Sequence, residues 1–212
     1  MDAQAKGRRP FLLAGTFSGW IAIILQFYLI LIHRDASVRE TIIRYFSFFT
    51  ILTNILFTVC FTFLLISPDS GPGKFFSRPA TLAAIAVYMA VVGIIYNGVL
   101  RFLWNPRGFQ WFADELLHVV NPVCFLLFWI FYVPKTGLQW KQAFIWMLYP
   151  VIYISLILFR GSFSGFYPYP FSNVRKLGYH RVFLNSTRTI LVFLVIALLF
   201  VLIGKRQEKL KK

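Results

Sequence analysis

The chain has 212 residues, 58% hydrophobic and 19% aromatic, with a mean hydropathy of +0.69. Only 14% are charged, against about 25% in soluble globular domains, which excludes an ordinary soluble domain. A net charge of +15 would suggest nucleic acid in a soluble protein, but here the basic residues lie between apolar runs and at the tips, where anionic lipid headgroups are the natural partner and no nucleic acid is expected.

Six apolar runs are each long enough to cross ~30 Å of hydrocarbon as a helix. They fall at roughly 11–33, 41–66, 80–103, 112–133, 141–160 and 183–204. The prediction is an all-α polytopic membrane protein, one domain over 1–212, with six transmembrane helices in an up-and-down bundle. "MDAQAKGRRP" leads straight into a first span too long and aromatic for a signal peptide. "SPDSGPG", "NPRG" and "VPKTG" mark short connections, and only 161–182 is long. Cys60 and Cys124 sit inside apolar runs without metal-ligand spacing and read as small core residues. Six spans put both termini on one side. The basic residues of the two tips, Lys6, Arg8 and Arg9 against Lys205, Arg206, Lys209, Lys211 and Lys212, favour cytoplasmic termini.

Ionisable and polar groups inside spans are costly and so are candidate functional residues. In the second span Ser47, Thr50, Asn54 and Thr58 follow steps of three and four and share a face. Asn97 and Arg101 close the third span. The fourth opens with Asp114, Glu115 and His118, and either acid has the spacing to hold the imidazole. Span order brings these groups to one end of the bundle, with His118 roughly 9 Å and Thr50 roughly 12 Å below the starts of their spans. A hydroxyl, an imidazole and a carboxylate at similar depth are the parts of a nucleophile–base–orienter set. The plainer readings stay open: threonines bonded back to their own helix, acids placed at a helix N-terminus, and an arginine reaching the interface. "SGFYPYPFSNVRKLGYHRVFLNS", with Tyr167 and Tyr169, reads as an interfacial aromatic belt or as a lid over the pocket. No metal or other cofactor is expected: a site from His118, Glu115 and His180 lacks any metal-binding motif.

"YFSFFTILTN", "ADELLHVVNP" and "FYPYPFSNVRKLGY" resemble the bacterial Pr-six-Pr integral membrane proteins over roughly 40–190. More distantly, the chain is similar to the vertebrate androgen-induced and androgen-dependent membrane proteins. Those are threonine hydrolases that cleave fatty-acid esters of hydroxy fatty acids. The resemblance implies Thr50 as nucleophile, with Thr53 one turn along as the alternative, and His118 as base. It also implies a bacterial inner membrane. On this reading Asp114 or Glu115 orients the imidazole, and Asn54 or Asn97 supports the oxyanion. Arg101, with Ser47, Tyr167 and Tyr169, meets a fatty-acyl ester substrate drawn from membrane lipids. Two alternatives remain: a non-catalytic lipid-binding or transport protein using the same pocket, and a structural protein whose polar residues only pack helices.

Overall fold

The computed structural model describes residues 3–210. Lys211 and Lys212 of the basic tail lie outside the described residues. The structure is all-α. Helix α1 (Ala3–Ile32) leads to α2 (Val38–Tyr45), α3 (Phe49–Ile66), a short α4 (Gly71–Phe76) and α5 (Pro79–Gly98). A 3-10 turn, Leu100–Phe102, precedes α6 (Gly108–Glu115), which runs through a π-helical segment, Leu116–Val120, into α7 (Asn121–Tyr132). Next come α8 (Trp140–Trp146), α9 (Leu148–Ser164), a second 3-10 turn at Pro170–Ser172, and α10 (Val174–Leu210), kinked at Gly178 with φ +76°. Six helical stretches have the length and apolarity to cross a membrane: Gly7–Ile32, Phe49–Ile66, Pro79–Phe102, Gly108–Tyr132, Trp140–Ser164 and Val174–Lys209.

Helix α5 is the centre of the bundle and packs on α3, α7 and α10, while α1 lies along α3, α6 and α7. Small residues set the α1–α3 approach. At Gly19 a β-carbon would collide with Thr58 Oγ1. Phe57, Phe61, Phe125 and Phe128, all fully buried, fill the space between α3 and α7 with edge-on and stacked rings.

The expected continuous span over 41–66 is two helices. The chain leaves α2 at Phe46, passes Phe48 in extended conformation and restarts at Phe49. No glycine or proline marks this break. Tyr153 of α9 holds it open: its hydroxyl donates to Ser47 O (2.7 Å) and accepts from the Phe49 amide (3.1 Å). Two readings change as a result. Ser47 lies in the break, bonded to Ile43 O (2.7 Å), rather than on the Thr50–Asn54 face. Thr50 sits on the first turn of α3 rather than about 12 Å into a longer span.

Candidate functional site

The fourth span carries the site, and its backbone explains how. Pro122 has no N–H to give to the carbonyl four residues earlier, and its ring disfavours that carbonyl's normal position. That carbonyl belongs to His118. The helix widens to a π turn just before the proline, and the Asn121 amide bonds to Leu116 O. Pro122 therefore offers no amide to the carbonyls of this turn. Side chains from neighbouring helices take them: Asn54 Nδ2 donates to Leu117 O (3.1 Å), and Asn97 Nδ2 donates to His118 O (3.3 Å). Asn54 also donates to Thr50 O (2.9 Å) and accepts from Asn121 Nδ2 (2.9 Å). Ser18 Oγ donates to Asn121 Oδ1 (2.8 Å). The amides of Asn54 and Asn97 therefore hold the histidine-bearing turn, and neither residue lines the cavity described below.

Asp114, not Glu115, pairs with the imidazole. His118 Nδ1 lies 3.2 Å from Asp114 Oδ1 and 2.9 Å from the Asp114 carbonyl. A carbonyl only accepts, so Nδ1 carries the proton and Nε2 of the neutral ring is the basic nitrogen. Tyr96 completes the unit. Its ring stacks on the imidazole, with centroids 3.9 Å apart and planes 14° from parallel, and its hydroxyl donates to Asp114 Oδ2. Glu115 forms an ion pair with Arg101, whose guanidinium lies 5.5 Å from the Tyr96 ring centroid. Arg101 is thus engaged beside the site and does not line the cavity.

A cavity of about 360 Å³ opens in front of His118. Thr50, Asp114 and His118 line it, with Tyr96, Tyr169 and Gln110. Thr53 does not; it is fully buried, with its hydroxyl 3.4 Å from Tyr149 Oη. The structure therefore brings Thr50, Asp114, His118 and Tyr169 to one space and leaves Ser47, Tyr167, Asn54, Asn97 and Arg101 outside it. Tyr167 packs instead against Gly161 of α9. Among the described residues no hydrogen bond joins Thr50 to His118. The Thr50 hydroxyl lies 3.4 Å from Tyr169 Oη, which also accepts from the Thr50 amide (3.3 Å). Burial pushes the Tyr169 phenol above its ordinary value, against hydrogen bonds from Thr50 and Phe49 that pull it down, so it stays protonated at neutral pH.

Tyr169 belongs to the proline-rich connection, which is folded over the cavity mouth. Phe166 is held between Arg44 (4.7 Å to the ring centroid) and Arg160 (5.3 Å). Both arginines bind Glu40, at 3.0 and 2.6 Å. Asn185 Nδ2 donates to Phe171 O (3.1 Å) from α10. Sequence reasoning missed Tyr96, Asn121 and Gln110. The position of Tyr96, one residue before Asn97 near the end of a span, was the available signal for the first. Among the described residues no group of three His, Cys, Asp or Glu side chains is arranged to hold a metal ion. No family model, curated protein or solved structure matches this chain.

Proposed function

We propose that this chain is a membrane-embedded lipid ester hydrolase in which Thr50 is the nucleophile and His118 its base. The observation that carries the reading is the single cavity shared by Thr50, His118 and Asp114, with the imidazole already oriented by the carboxylate. The resemblance of its three motifs to the Pr-six-Pr and androgen-dependent membrane proteins supports the same assignment and a bacterial inner membrane as its location. The basic tips support cytoplasmic termini.

In this mechanism His118 Nε2 takes the Thr50 hydroxyl proton as Oγ1 bonds to the ester carbonyl carbon. The bond from that carbon to the alcohol oxygen breaks, and His118 returns the proton to the departing oxygen. Water then attacks the acyl-threonine and gives a proton to His118. The carboxylic acid leaves, and the proton returns to Thr50. Asp114 balances the charge of the transient imidazolium. Tyr169 is the protonated hydroxyl nearest Thr50 and is placed to donate to the developing oxyanion. Membrane lipids surround the cavity and would supply substrates such as fatty-acid esters of hydroxy fatty acids.

One observation favours a second reading. The Thr50 hydroxyl faces Tyr169 and not the imidazole, as it would in a lipid-binding or transport protein using the same cavity without chemistry. Hydrolysis of long-chain lipid esters by the purified protein separates the two, with a fluorophosphonate probe run alongside. Turnover and labelling lost in Thr50→Ala and His118→Ala, and kept in Thr53→Ala, support the hydrolase. Folded protein without turnover or labelling supports binding.

A further inference from the structure

A second cavity lies behind Tyr169, between α5, α9 and α10. Its walls are mostly apolar and include Val92, Ile157, Ile190 and Phe193. It is the smaller space, with a free volume of about 60 Å³ against about 360 Å³ for the cavity in front of His118. Thr50, Tyr96, Leu100 and Tyr169 line both spaces. Thr50 therefore stands at a junction, with a small apolar slot on one side and a larger, more polar cavity on the other. Asp114, His118 and Gln110 line the larger cavity and not the slot; Ile190 and Phe193 line the slot and not the larger cavity. On α10 the slot runs from Ser186 to Phe193, roughly 10 Å along the helix.

We propose that the slot binds the acyl arm of the ester as a single unbranched chain, and that the larger cavity receives the alcohol arm. The orientation rests on the hydrolase reading; the slot as a chain-binding site rests on geometry alone. Proton transfer gives the orientation. The base that deprotonates Thr50 must reprotonate the departing oxygen, so that oxygen faces His118. The other substituent of the carbonyl carbon points away from His118, which at Thr50 is into the slot. Size and lining select the chain: a space this small and this apolar favours one hydrocarbon chain over a second chain or a polar headgroup. The larger cavity carries the polar groups an alcohol arm can meet, among them Gln110, bonded to Gln26 at 2.8 Å.

The test uses the full chain in lipid nanodiscs with two ester series. One varies acyl length at a fixed alcohol; the other varies the alcohol at a fixed acyl group. Val92→Phe blocks the slot and should shift preference to short acyl groups, with a loss of at least about tenfold on the longest and no change of order in the alcohol series. Gln110→Ala should reorder the alcohol series instead. Ile190→Phe serves as a second slot variant should Val92→Phe misfold. The opposite pattern, with slot variants reordering the alcohols, overturns the orientation. A photoactivatable long-chain fatty acid gives a readout independent of turnover. Crosslinks on α9 and α10 that disappear in the slot variants support the slot even if no ester is cleaved, in which case only the hydrolase reading fails. Crosslinks confined to lipid-facing surfaces and unmoved by the variants overturn it.

Discussion

Asp114 and Glu115 are adjacent in sequence and divide their work. One residue is about 100° around a helix, so the two carboxylates point to different neighbours: Asp114 to His118 and Tyr96, Glu115 to Arg101. Asn121 shows how much a single buried amide carries at this site. It is fully buried and bridges Asn54 on α3 to Ser18 on α1. Asn121→Leu leaves the buried Asn54 Oδ1 without its partner, while Ser18 Oγ keeps the Gly15 carbonyl (3.2 Å). A buried polar group left unsatisfied costs about 1–3 kcal/mol. The variant is expected to unfold at a lower temperature than the wild type in a detergent melt, and an unchanged midpoint would sink this view of the network. Thr53→Ala removes one long hydroxyl contact to Tyr149. It should cost about 1 kcal/mol or less by the same melt.

At the scale of the element, Pro122 sets the shape of the fourth span. Restoring an N–H with Pro122→Ala allows the 116–120 segment to close to α geometry. A turn that changes register by one residue rotates His118 away from Asp114. Misplacement on the order of 1 Å costs about a hundredfold in rate, so under the proposed hydrolase function turnover should fall by about that factor while the folded yield is kept. The proline-rich connection is a second element with its own test. Burial opposes the charge of Glu40, but the hydrogen bonds and charges of Arg44 and Arg160 outweigh it and lower its pKa from the ordinary 4.5. A carboxyl whose folded value is depressed stabilises the structure above its unfolded value, and that stability is lost as pH falls through the folded value. Limited proteolysis within 165–173 should therefore stay slow from neutral pH down to about 4.5 and quicken only below it. Glu40→Gln should quicken it already at neutral pH. Equal rates for the two proteins would detach Glu40 from the clamp on Phe166.

For the whole molecule, six spans return the chain to the side where it began. Asp35 sits in the first connection, and its side chain is 86% exposed. A membrane-impermeant maleimide should label Asp35→Cys from one face of sealed vesicles and cysteines added at either terminus from the other. Cys60 is fully buried and gives little background in this assay. Labelling of both termini and position 35 from the same face would contradict the six-span arrangement. The bundle also explains why the polar residues meet. Spans of alternating direction bring the start of α3, the end of α5 and the start of the fourth span to one end, and the connection after α9 covers that end.

The sequence by itself determined the class and the count. Apolar runs of spanning length admit few structures in lipid, since each backbone polar group must be satisfied within its own helix. Pro122 and its neighbours likewise carried the information for a distorted turn at His118, because a missing N–H is a property of the residue. The tertiary structure decided the rest. The break before α3 has no local signal; it depends on the Tyr153 hydroxyl, 104 residues from Phe49 in sequence. That break moved Thr50 to a helix start and took Ser47 off its face. The choice between Asp114 and Glu115, the stack of Tyr96 on His118 and the separation of slot from cavity follow from how helices rotate against one another. Residue spacing places side chains on a helix face, but only packing decides what that face meets.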